Sequence, residues 1–146
     1  MRMIYKAEQK DARTAAELAG LLWPHHAISE FEKEFAELAA NPDAAVFLAF
    51  DGDTPAGFAQ CQLRHDYVEG TDSSPVGYLE GIFVAESHRR RGYARLLLTA
   101  CEVWAKSKGC QEFASDCELG NTDSLHFHLS VGFTEANRII CFTKKL

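Results

Sequence analysis

The spacing of apolar residues along the chain predicts an alternation of strands and helices. Met3 to Tyr5 reads as a short first strand. From Asp11 to Leu22, Ala12, Ala15, Leu18, Ala19 and Leu22 recur at helical spacing, and Pro24 stops the run. Ile28, Phe31, Phe35 and Leu38 make a second helical stripe, with Glu30, Lys33, Glu34 and Glu37 on its water side. Ser29 and Glu32 read as the capping box of that helix, and Asn41-Pro42-Asp43 as its end. Two strands follow, Ala45 to Phe50 and Ala56 to Leu63, joined at the Asp51-Gly52 turn signal. Polar Arg64 to Pro75 reads as a long loop, a feature that is often functional inside a compact domain. Gly77 to Val84 (GYLEGIFV) is mostly apolar and reads as a central fourth strand.

A long helix is predicted from near Gly92 to Lys108. Leu96, Leu97, Thr99, Ala100, Val103 and Trp104 are expected on its buried side, and Gly109 follows its end. Gln111 to Asp116 reads as a fifth strand and Thr122 to Ser130 as a short helix ended by Gly132. Phe133 to Thr143 reads as a last strand or strand pair. The order β-α-α-β-β-β-α-β-α-β predicts a mixed α/β domain around one sheet. The length of 146 residues, without repeat or linker, predicts one domain over residues 1–146.

Charge narrows the function classes. The formal net charge of −6 argues against a nucleic-acid partner, which a basic face would bind, and suits a cationic small molecule. The 5 cysteines are odd in number and no two are spaced C-x-x-C, which argues against a disulfide framework or a zinc site. They read as buried small hydrophobes in a reducing compartment, and no metal is expected. No long apolar run marks a signal peptide or a membrane span, so the expected location is the cytoplasm, with no membrane partner.

The strongest chemical signal is Arg89-Arg90-Arg91-Gly92-Tyr93-Ala94, between an apolar strand and a long amphipathic helix. Gly92 and Ala94 leave the backbone bare, and the free N–H groups of a helix start, with the helix dipole, attract an anion. The three arginines add donors suited to phosphate oxygens, so a pyrophosphate is the natural guest. A solvated basic turn at a helix start is the plainer alternative. The flanking strand and helix favour the site.

This segment resembles the [QR]-x-x-G-x-[GA] acetyl-CoA signature of the GNAT acyltransferase superfamily. Gly77 to Val84 is similar to that family's fourth strand. Asn121 to Phe133 (NTDSLHFHLSVGF) resembles its downstream N-x-x-A-x-x-L-Y-x-x-x-G-F motif. Several runs resemble more narrowly the chromosomal aminoglycoside 6′-N-acetyltransferases of the Acinetobacter and Salmonella type. They are Leu22-Trp23-Pro24 with His25-His26, Arg64-His65-Asp66-Tyr67-Val68, Ser73-Ser74-Pro75-Val76, Leu79 to Val84, and Ala114-Ser115-Asp116. The resemblance implies a mostly antiparallel sheet splayed between strands 4 and 5 and flanked by about four helices. It implies acetyl-CoA as cosubstrate, an aminoglycoside or other cationic amine as acceptor, and a homodimer.

By that resemblance, backbone groups of Ile82, Phe83 and Val84 bind the pantetheine arm, and one of their N–H groups holds the thioester oxygen. Such a donor is worth about 3 kcal/mol in the transition state. Asn121 contacts the cofactor, caps its helix, or does both. The attacking amine must first lose a proton. An ammonium of pKa near 9 is only about 1% neutral at pH 7, a handicap of roughly 2.7 kcal/mol. Glu80, a carboxylate in an apolar strand, and Asp116, at the end of the next strand, are candidates for base, cation anchor or both. A loop-capping role is the plainer reading of Asp116.

Trp23, His26 and Tyr67 are further substrate-side candidates, with packing or plain surface exposure as the alternatives. Asp66, Glu69 and Asp72 make the long loop acidic, as a polycation would want. Asn137 falls where some of these relatives carry a substrate-binding Glu. His128 stands at the family's Tyr position and is a candidate general acid, or a packed helix residue. No cysteine is placed as a nucleophile, so direct transfer in a ternary complex is expected. The rival functions are acetylation of a polyamine or other metabolite amine, and a non-catalytic acetyl-CoA sensor. The two carboxylates favour catalysis.

Overall fold

The computed structural model describes residues 2–146. Five strands form one sheet in sequence order: β1 (Arg2–Lys6), β2 (Ala44–Asp51), β3 (Thr54–Arg64), β4 (Val76–Val84) and β5 (Phe113–Ala114). All neighbours run antiparallel except β4 and β5, which are parallel. Four helices flank the sheet: α1 (Ala12–Leu22), α2 (Ile28–Ala40), α3 (Tyr93–Ser107) and α4 (Thr122–Ser130).

The central strands are covered on both faces, and their alternation assigns each face a helix layer. Ala45, Phe47 and Ala49 of β2 pack with Leu97, Leu98, Cys101 and Trp104 of α3. Val46 and Leu48 between them pack with Ala15, Ala16, Phe31 and Phe35 of α1 and α2. Gly77 lets β4 lie close to both α3 and β5. A Cβ there would come within 2.7 Å of the Ala105 methyl and 2.5 Å of the Phe113 ring.

The β4–β5 pairing is brief. It joins Gly77 to Phe113 and Tyr78 to Ala114, and beyond Tyr78 the two strands part. Opposite, Gln60 pairs with Gly81 and Cys61 with Leu79, so Glu80 is the extra residue of a β-bulge. The expected splay is therefore present, and Glu80 sits at its start.

Four expectations are corrected. The second helix is capped at Ala27 and not by a Ser29–Glu32 box. Ser29 lies inside the first turn, and Glu32 instead pairs with Arg13 at 3.3 Å. The buried side of α3 is Tyr93, Leu97, Leu98, Cys101, Trp104 and Ala105, while Leu96, Thr99 and Val103 face outward. Apolar residues stand on every side of this helix, so periodicity alone left its facing undetermined. Residues 133–143 form no strand, because no neighbour supplies the hydrogen bonds a strand needs. Cys61, Cys101 and Cys110 are buried as expected, but Cys117 and Cys141 are exposed.

Candidate active site

The turn before α3 is built for close backbone approach. Arg90 (φ 63°) and Gly92 (φ 84°) both take left-handed conformations, and Gly92 caps the helix. Only glycine adopts that φ without cost, so conformation, as well as bareness, demands it at 92. The turn and the start of α3 line one wall of a cleft of about 230 Å³, with Phe127, Ser130 and Val131 on the other side. The unbonded N–H groups of the helix start belong to this wall, and such groups with the helix dipole suit an anion.

The arginines divide their work. Arg89 Nε donates to the Val84 carbonyl at 3.0 Å, and Arg91 pairs with Asp51 at 3.3 Å. Arg90 also lines the cleft. The Tyr93 side chain is buried in the α3-side core, so its contribution to the turn is its main chain. Two residues that the sequence reading passed over support this turn. His88 is buried, and its Nε2 lies 3.2 Å from an Asp51 oxygen. A histidine in a short basic run gave no signal of that role.

The second half of the site lies at the splay. Arg64, the last residue of β3, holds both carboxylate oxygens of Glu80 at 3.0–3.2 Å. Its guanidinium lies 3.4 Å over the centre of the Tyr78 ring. The Tyr78 hydroxyl donates to Asp116. Burial and the Asp116 carboxylate push the Tyr78 phenol well above its ordinary value, so it remains a donor throughout the neutral range. The two candidate carboxylates thus belong to one cluster, joined through a phenol and a cation. Tyr78 had a readable signal, since it lies two residues before Glu80 in a strand. Arg64 had none, because its contact crosses strands.

Trp23 stands beside this cluster. It ends α1, and its indole rim lies 3.5 Å from the position of a Cβ on Gly81. His26 packs its ring 5.5 Å from Phe31, one step further out. Tyr67 is 75% exposed, so the structure does not bring it into the cluster. The acidic loop is anchored by a small core of Val68, Val76 and Tyr78. Asn137 donates to Glu69 at 2.8 Å, which ties the C-terminal stretch to this loop.

Asn121 caps α4 by accepting the Ser124 N–H at 3.1 Å, which realises the capping reading. His128 Nδ1 lies 2.6 Å from the Ser124 carbonyl and Nε2 lies 2.7 Å from Ser115 Oγ. A carbonyl only accepts, so Nδ1 carries the proton and neutral Nε2 accepts from the Ser115 hydroxyl. Ser115 sits next to Asp116 in the chain, so His128 reaches the cluster's edge through one hydroxyl.

A helix-start anion cleft and an acidic, aromatic-lined cluster at a splayed strand pair suit a phosphate-bearing donor and a cationic acceptor. The family model for the acetyltransferase (GNAT) family matches residues 4–133. The chain belongs to the GNAT acetyltransferase family. It is an acetyltransferase, and acetyl-CoA is its acyl donor.

Relatives of this GNAT protein are close over most of its length. It is 42% identical over 127 residues to an aminoglycoside N(6′)-acetyltransferase type 1 of Serratia marcescens, covering 86% of each chain. The enzyme of the same name from Acinetobacter haemolyticus is 38% identical, with 98% of each chain covered. Among solved structures, AAC(6′)-Iy in complex with the bisubstrate analogue CoA-S-monomethyl-acetylneamine matches at a TM-score of 0.95 and 38% identity. That match covers 100% of this chain and 99% of the other.

Proposed function

We propose that this GNAT domain acetylates the 6′-amine of aminoglycosides, by direct attack of the amine within a ternary complex. The observation that carries the reading is the Glu80–Tyr78–Asp116 cluster at the β4–β5 splay, with Trp23 against neighbouring Gly81. Two carboxylates beside aromatic faces attract an amino sugar through charge and ring stacking together. The names of the relatives support the same acceptor class.

Acetyl-CoA supplies the activated acetyl group. The main-chain N–H groups of residues 91–94 hold its diphosphate, with Arg90 adding charge. The β4 edge at Ile82, Phe83 and Val84, freed by the splay, bonds its arm, and Asn121 lies at the start of the helix alongside. Glu80, the bulge residue where β4 leaves β5, takes the proton of the attacking amine. Asp116 anchors a second ammonium, with its carboxylate oriented by Tyr78. His128, when its ring carries a second proton on Nε2, passes that proton through the Ser115 hydroxyl to the departing sulfur. Trp23, His26, Tyr67 and Asn137 border the acceptor, and the acidic loop draws it in.

The protein works in the cytoplasm as a homodimer. The dimer reading is supported by two unpaired features of one chain. Among the described residues β5 has no strand on its outer edge, and the stretch after α4 exposes Ile139 (68%), Ile140 (81%) and Phe142 (87%). A row of strand-forming residues and an open strand edge complete each other across two copies.

Release of free CoA thiol tests the acceptor. Kanamycin and tobramycin are expected to drive it, and spermidine is not. Turnover with spermidine alone replaces the acceptor by a polyamine. Binding of acetyl-CoA without turnover on any amine makes the protein a sensor.

A further inference from the structure

The Glu80 carboxylate already holds a cation. Both of its oxygens are taken by Arg64, with Nε at 3.2 Å from one and Nη2 at 3.0 and 3.1 Å from the two. The same guanidinium covers the Tyr78 ring at 3.4 Å. A cation against a carboxylate and an aromatic face is also the arrangement that suits a substrate ammonium. We infer that Arg64 is a resident stand-in for the acceptor's cation, which the acceptor must displace from Glu80 before it can be acetylated. This rests on the proposed acceptor class.

The chemistry of the two partners supports an exchange over a fixed clamp. A guanidinium never gives up its proton in this range, so it satisfies the carboxylate without competing for the reaction itself. While it is seated, the guanidinium's positive charge lies against both Glu80 oxygens and repels an incoming ammonium. The Arg64 side chain is 42% exposed and that of Glu80 23%, so water and solute reach the pair. Arg64 also stands where β3 gives way to the acidic loop, so it ends on a strand terminus with solvent around its stem. Replacing one cation by another at the same carboxylate is close to an even trade. Net affinity must then come from the acceptor's other ammonium groups, and this favours polycations.

The sign of one substitution separates the two roles. If Arg64 competes, Arg64→Gln frees Glu80 and tightens kanamycin about two- to fivefold, the upper part of the range for losing a partly exposed ion pair. The gain is expected in Kd, measured by calorimetry with CoA present, and in KM. Arg64→Lys keeps a competing charge and stays within about twofold of the parent, while thermal melting confirms that both variants fold. In the parent protein, the Arg64 Nε–H resonance, assigned by its loss in Arg64→Gln, should shift on saturation with kanamycin. A weaker or unchanged Kd in Arg64→Gln, or an unmoved resonance, overturns the inference. If the parent protein does not acetylate kanamycin at all, the acceptor assignment itself has failed, and that result is read independently of any variant.

Discussion

At the scale of single residues, the carboxylate proposed as base stands at a one-residue irregularity. Glu80 is the bulge residue between Leu79 and Gly81, and its partners Arg64 and Tyr78 come from the neighbouring strand end and from its own strand. Asp116 lies one phenol away. Their roles as base and anchor make different predictions. Glu80→Gln should lower kcat on the order of 100-fold, the scale of a lost general base. Asp116→Asn should act mainly on KM for the aminoglycoside, leaving kcat within a few-fold. Steady-state kinetics at saturating acetyl-CoA measure both. If neither parameter moves in either variant, the base and anchor lie elsewhere. Both carboxylates were legible in the sequence, since a charge inside GYLEGIFV and one at the next strand's end stand out. Their linkage was not, because Arg64 at the end of β3 and Asp116 in the chain after β5 lie far apart in the sequence.

At the scale of elements, the start of α3 matters most. The strand–turn–helix order around Arg89–Ala94 was readable because β4 and α3 each carry their own apolar pattern. The left-handed φ of 84° at Gly92 adds a reason that sequence did not give. Gly92→Val forces a branched side chain into that conformation, at a cost of about 1–2 kcal/mol. The added Cβ also meets Arg2 Nη1 at 2.9 Å, which disturbs its 2.7 Å bond to the Arg91 carbonyl. Calorimetry should find acetyl-CoA binding weakened by about tenfold or more. Unchanged affinity removes the diphosphate from this turn. The facing of α3 was misread for a related reason. Its apolar residues encircle the helix, so the buried stripe was settled by the sheet it lies on and by no period in the sequence. The capping box assigned to α2 failed likewise, because Ser29 fell two residues past the cap and Ala27 ended the extended chain.

At the scale of the whole molecule, the acidic balance and the open β5 edge look outward. The net charge of −6 favours a polycationic acceptor at distance, before any contact forms. The exposed Ile140 and Phe142 lie two apart, on one side of an extended chain, and suit burial against a second copy. Ile140→Asp combined with Phe142→Asp should convert a dimer to a monomer in sedimentation experiments at micromolar concentration. A parent protein that sediments as a monomer, or a double variant that stays dimeric, removes this interface.

Local pattern carried the element order as far as α4, the turn before α3 and the two acidic residues, because each depends on neighbours within a turn or a strand of the chain. The splay of β4 from β5, the grip of Arg64 on Glu80, the facing of α3 and the unpaired state of residues 133–143 belonged to the tertiary structure alone. These features arise where distant segments meet. A contact between strands or across a sheet edge is fixed by which surfaces are left to bury once every element has formed, and no local spacing encodes that.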